Sequence, residues 1–159
     1  MLSLVLLSVA CAWLPDGEWI KFTPKDGSFT SQFPQSPQER ANRTGTTWML
    51  AARDRVYNIA KNPVPGGDNP SPRDINTALN TVRDNIIKRV EAKLISERAM
   101  EHHRIPAREY LFALPEDKGH LRLRCFVVKG FVWEVKVGGP KEYVAGKEAE
   151  AFLEGLIIK

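Results

Sequence analysis

The chain has 159 residues and a formal net charge of +4, with 43% apolar and 26% charged residues. That length and balance suit one globular domain with its own core and exclude a disordered or fibrous chain. The basic excess is small and Asp and Glu are interspersed throughout. A nucleic-acid binder concentrates Lys and Arg on one stripe with aromatics between them, so no nucleic-acid partner is expected.

Leu2 to Leu14 form a nearly unbroken apolar run. It is shorter than the roughly 20 residues of a bilayer-crossing helix and has the length of a signal-peptide core. Pro15-Asp16-Gly17 breaks it at once. Ala10-Cys11-Ala12 fits the small-x-small site of a signal peptidase. Ser8-Val9-Ala10-Cys11 reads alternatively as a weak lipobox, with Leu7 one place early, which would put a lipid anchor on Cys11. The expectation is a leader over 1–14 and one domain over 15–159, placed outside the cytoplasm as a secreted, periplasmic or membrane-anchored monomer. A retained N-terminal strand is the competing reading. Without the leader Cys125 is the lone thiol, and its alternating apolar strand predicts burial as a small hydrophobe.

Further along, Trp19–Thr23 and Ser28–Phe33 read as strands around a Lys25-Asp26-Gly27 turn, and Pro34 and Pro37 stop the second. Trp48–Ala52 and Val56–Lys61 alternate about a hairpin end at Arg53-Asp54-Arg55. Asn62–Pro72 holds repeated Pro and Gly and reads as a surface loop; Gly66-Gly67-Asp68 lacks the Lys-Ser/Thr of a phosphate loop. Ser71 then caps a helix, with Pro72 first and Asp74 completing a capping box. Ile75, Leu79, Val82, Ile86 and Val90 give it one apolar stripe.

Leu94–His103 and Ala107–Leu114 read as strands before a turn at Pro115–Gly119. Leu121, Leu123, Cys125 and Val127 share one face of the next strand, and Phe131, Trp133, Val135 and Val137 one face of its successor. A three-residue loop at Val128-Lys129-Gly130 places both sets on one face and Arg124 opposite Glu134. Ala149, Phe152, Leu153 and Leu156 mark a short closing helix before Ile157-Ile158. Antiparallel hairpins with helices against the sheet make an α+β fold.

Among residues able to do chemistry, Glu101 and His103 share a strand face, and His120 lies in a later turn. Together they form a candidate zinc or copper set, set against a solvated pair at a strand end. His102, their neighbour, points to the opposite face of a strand and is left out. Ser71 and Ser96 lack a nucleophile-elbow context, and Glu116-Asp117 sits in a solvated turn, so no catalytic residue is assigned. Arg40, Arg43, Arg53 and Arg55 make the first hairpin basic. Arg104, Arg108, Arg122 and Arg124 would extend that surface if the strands adjoin, toward an acidic protein or lipid headgroups. The competing reading is a charged sheet edge that blocks aggregation.

Trp19-Ile-Lys-Phe22, Asp26-Gly-Ser-Phe29, Phe33-Pro34 and Pro37 precede the long helix. Ile105-Pro-Ala-Arg-Glu109, Leu121-Arg-Leu-Arg124 and Ala151-Phe152-Leu153 follow it. In this order the chain resembles the PsbP-like superfamily from Trp19 to Ile158, with Ala107 where relatives carry Gly and Gly155 where they carry Ser. The resemblance implies an α/β/α sandwich with a central antiparallel sheet and no enzyme. The fold hosts unrelated partners, so the resemblance implies no single function. Taken with the apolar leader and the lack of a catalytic set, it leads to the expectation of an accessory module that binds an unknown protein partner in the cell envelope. The alternatives are a weak metal-binding accessory protein using Glu101, His103 and His120, and a cytosolic GTPase-binding adaptor like the Ran-binding factor Mog.

Overall fold

The computed structural model describes residues 18–159. The expected leader over 1–14 and Cys11 lie outside the described residues. Strands β1 (Ile20–Phe22), β2 (Phe29–Phe33) and β10 (Ile157–Ile158) form a small sheet in the order β1-β2-β10. The first strands of the large sheet are β3 (Gln38–Asn42), β4 (Gly45–Ala52) and β5 (Arg55–Pro63). The rest are β6 (Lys93–His102), β7 (Ile105–Ala113), β8 (His120–Val128) and β9 (Phe131–Gly139). Their order is β3-β4-β5-β9-β8-β7-β6, with antiparallel neighbours throughout.

Both faces of the large sheet are covered. Helix α1 (Pro72–Val90) buries Leu79 and Val82 against Tyr110, Phe112, Leu123 and Cys125 on one face. On the other lie the small sheet, α2 (Lys141–Val144) and α3 (Lys147–Glu154). There Phe29 and Phe33 of β2 and Phe152 of α3 meet Trp48, Tyr57 and Trp133. This is the expected α+β sandwich.

The start of α1 follows from its sequence. The Asp74 backbone N–H donates to the Ser71 hydroxyl at 3.2 Å, and the Asp74 carboxylate accepts the Ser71 N–H at 3.1 Å. Pro72 stands where no helical N–H is needed. Strand β3 and helix α2 were not expected. Gln38–Asn42 is polar, follows two prolines and shows no apolar alternation, as suits an edge strand paired on one side only.

The β8–β9 hairpin corrects the expected loop. Val128 pairs with Phe131, so the turn is the two residues Lys129-Gly130, at φ +50° and +75°. Cys125, not Arg124, stands opposite Glu134, and Arg124 faces Val135. The three-residue loop assumed a ribbon with one buried face. Here both apolar sets are buried, one under α1 and one under α3, and the two-residue turn sends them to opposite faces. Gly130 is required at its turn. Its φ is left-handed, and a Cβ there would stand 2.6 Å from the Gly67 carbonyl oxygen. The same contact region ties down the loop before α1, because the Val64 N–H donates to the Gly130 carbonyl at 2.8 Å.

Cys125 is free and fully buried, as its strand position predicts, and burial pushes its thiol well above the ordinary range.

Candidate functional site

Alternation along β8 turns Arg122, Arg124 and Phe126 to the face that α3 covers. On β7 the same face carries Glu109, and on β6 it carries Arg98 and His102. Helix α3 brings Glu150 and Glu154 to this face from one side, since residues four apart stack on a helix.

The result is a closed cluster of three arginines and three glutamates. Arg124 Nε and Nη2 donate to Glu109 Oε2 at 3.0 and 2.8 Å. Its Nη2 also reaches Glu150 Oε1 at 2.8 Å, and its Nη1 reaches Glu154 Oε1 at 2.7 Å. Arg122 Nη2 donates to Glu109 Oε2 at 2.9 Å and also to Glu150. Arg98 Nε takes the other Glu109 oxygen at 2.9 Å. The Arg124 side chain is only 1% exposed and that of Glu109 8%, so this pair is an interior ion pair.

Burying such charges is unfavourable unless each is paired and hydrogen-bonded, and here each is. Burial drives the Glu109 carboxyl upward. The bonds from Arg122, Arg124 and Arg98 and the Arg122 charge outweigh it and hold the group below the ordinary carboxylate range. Glu150 is shifted the same way, burial opposed by Arg124 and Arg122. Arg124 is raised: burial disfavours its charge, and Glu150 and Glu109 more than compensate. A group whose partners hold its proton state this firmly is poorly placed for acid–base work. The cluster clamps α3 onto β7 and β8.

Beside it lies a histidine pair. The β6–β7 hairpin closes with His102 opposite Ile105, so His103 and Arg104 form the turn, both left-handed at φ +48° and +68°. His102 is buried, stacked on Phe126 with centroids 4.5 Å apart and planes 16° from parallel. Its Nε2 lies 2.8 Å from the Leu156 carbonyl oxygen. The exposed His103 places its Nε2 2.8 Å from the Glu154 carbonyl oxygen, and the two rings meet edge to face at 4.5 Å.

Burial depresses the His102 pKa. The Leu156 hydrogen bond opposes this, and His103 adds to the depression. The unfolded chain therefore takes up a proton at higher pH than the folded one, and folding stability is lost as pH falls from about 6.5 toward the folded value. Unfolding by urea at pH 7.5 and 5.5 should show this loss in the parent. His102→Gln, which keeps a donor for Leu156, should lose the part of that slope due to this ring. An unchanged slope would contradict the assignment.

The metal candidates expected from the sequence are not all brought together. Glu101 is exposed on β6 opposite Pro106, and His103 sits in the turn. His120 opens β8 opposite Ala113, at the other end of β7 from Ile105. Those ends are eight residue steps apart along the strand, about 27 Å at about 3.4 Å per step. His120 is therefore not brought to Glu101 and His103. Instead His103 lies with His102 and Glu154. Leaving His102 out rested on strand alternation, which fails because His103 has left the strand.

The arginine surface is likewise divided. Arg122 and Arg124 point inward, while Arg108 lies on the opposite face and donates to Asn76 and Asn80 of α1 at 2.9 and 2.7 Å. Strands β5 and β9 separate β3 and β4 from β8 and β7. No joined basic surface forms from these residues. A further open depression, lined by Glu18, Trp19, Gln32, Glu148 and Ala151, shows no convergent acid–base pair among its described residues.

No helix among the described residues is long and apolar enough to cross a membrane. No family model and no curated protein sequence matches the chain. Several solved structures are similar. The solution structure of cyanobacterial PsbP from Synechocystis superposes with a TM-score of 0.63 at 10% identity, covering 94% of this chain and 98% of that one. A Pseudomonas aeruginosa protein of unknown function superposes with a TM-score of 0.50 at 12% identity, covering 90% and 99%. At such identity the likeness concerns the fold, and that fold is PsbP-like.

Proposed function

We propose that this chain is a non-enzymatic accessory domain that acts outside the cytoplasm by binding a protein partner. The observation that carries the reading is the cluster of Arg122, Arg124, Glu109 and Glu150, built around the interior Arg124–Glu109 pair. These charges neutralise one another and hold α3 in place. A domain built this way offers a rigid surface and no poised nucleophile at that site. The PsbP-like fold supports the same reading by analogy, since the cyanobacterial protein of that fold covers nearly the whole chain. The apolar run Leu2–Leu14 supports export.

Crosslinking in cells of the native host, followed by fractionation, tests it. The expected product is a discrete crosslinked species in the envelope fraction. A chain that stays uncrosslinked there at native abundance would contradict the reading. Turnover of an ester or phosphate substrate by the purified chain would contradict the non-enzymatic part.

A further inference from the structure

We infer that His102, His103 and Glu154 form a binding site for a borderline transition-metal dication of the zinc or copper class. One ligand atom from each of these residues lies within 4.8 Å of the other two. The hydrogen bonds decide which ring nitrogens are available. A backbone carbonyl only accepts, so the nitrogens facing Leu156 and Glu154 must carry the hydrogen. Both rings are therefore held as the Nε2–H tautomer, and each keeps its lone pair on Nδ1. Metal-binding histidines are commonly oriented in this manner, one nitrogen donating to a carbonyl and the other facing the ion.

Three further observations agree. His102 Nδ1 is buried and has no hydrogen-bond partner among the described residues. An acceptor left so is unfavourable, and a cation would satisfy it. The Glu154 carboxylate is anchored through Oε1 by Arg124 at 2.7 Å, which leaves Oε2 for an ion. The third is backbone geometry. His103 and Arg104 hold left-handed φ in a two-residue turn where Asn-Gly is favoured. That conformation brings His103 alongside His102, and strain of this kind gathers at ligand sites.

Two imidazoles and one carboxylate with an open fourth position suit zinc or copper and not the hard cations, which take oxygen ligands. A tetrahedral ion at about 2.0–2.1 Å needs its ligand atoms about 3.4 Å apart. The Glu154 side chain is 46% exposed and His103 lies at the surface, so a small rotation of each closes the set and admits the ion.

Calorimetric titration of Zn2+ into the full chain at pH 7.5 is the test, with nitrogen NMR of the two rings beside it. One equivalent should bind, shifting both Nδ1 resonances. His103→Asn preserves the left-handed turn, which Asn tolerates. It and Glu154→Gln should each weaken binding roughly tenfold or more. Circular dichroism should show both variants folded. Glu101→Gln and His120→Gln should bind as the parent does. Absence of binding in the parent overturns the site. So does undiminished binding in His103→Asn or Glu154→Gln, or a loss confined to the Glu101 or His120 variants.

Discussion

Arg124→Met should lower folding stability by about 3 kcal/mol at pH 7. The guanidinium is almost wholly buried and joins Glu109, Glu150 and Glu154 in one contact set. Removing one member of a buried ion pair leaves the remainder uncompensated, at about 3–5 kcal/mol. The lower end applies because Arg98 and Arg122 still face Glu109. Methionine fills much of the volume, so the loss reports charge more than cavity. The pH dependence has a definite sign. The folded-state carboxyls of Glu109 and Glu150 lie below their ordinary value of 4.5. Their contribution is present above that value and is lost as pH falls through the folded pKa values. The gap between parent and Arg124→Met in urea unfolding should therefore be full at pH 7 and narrow below about pH 4.5. A variant as stable as the parent at pH 7 would show that the cluster contributes nothing.

Phe152→Ala should have the other large effect, about 3–5 kcal/mol. Phe152 is fully buried on α3, and its ring centroid lies 5.2 Å from those of Phe33 and Tyr57 and 6.2 Å from that of Trp19. It joins the small sheet, the closing helix and the large sheet, so its removal leaves a cavity where three elements meet. Ile157→Ala is the internal comparison. Ile157 is 53% exposed and should change stability by less than about 0.5 kcal/mol. Urea midpoints at constant slope separate the two. Equal effects would contradict the placement of the core.

Local chemistry made much of this fold legible. Ser71, Pro72 and Asp74 announce the start of α1 because their side chains act on neighbouring backbone. The strand pairs flanking Arg53-Asp54 and the buried Cys125 follow from alternation. Failures came where tertiary context decides. Leu121–Val127 and Phe131–Val137 each read as one buried face. Whether the two faces coincide depends on how many layers cover the sheet, and that is absent from the hairpin itself. Arg122 and Arg124 looked like surface charge because their carboxylates arrive from β7 and from a helix more than twenty residues on. The signal available was Glu150 and Glu154, four apart on a helix whose other side is apolar. His102 was lost to an alternation rule that stops at a turn, and the turn at His103-Arg104 lacks the Gly or Asn that usually advertises one.

Export is tested by the intact mass of the mature chain from its native host, taken together with its cell fraction. The expected chain begins at Cys11, with or without lipid on that residue, or at Trp13, and lies in the envelope or outside the cell. An unprocessed chain in the cytosol would contradict export, and the site of any partner would have to be sought there instead.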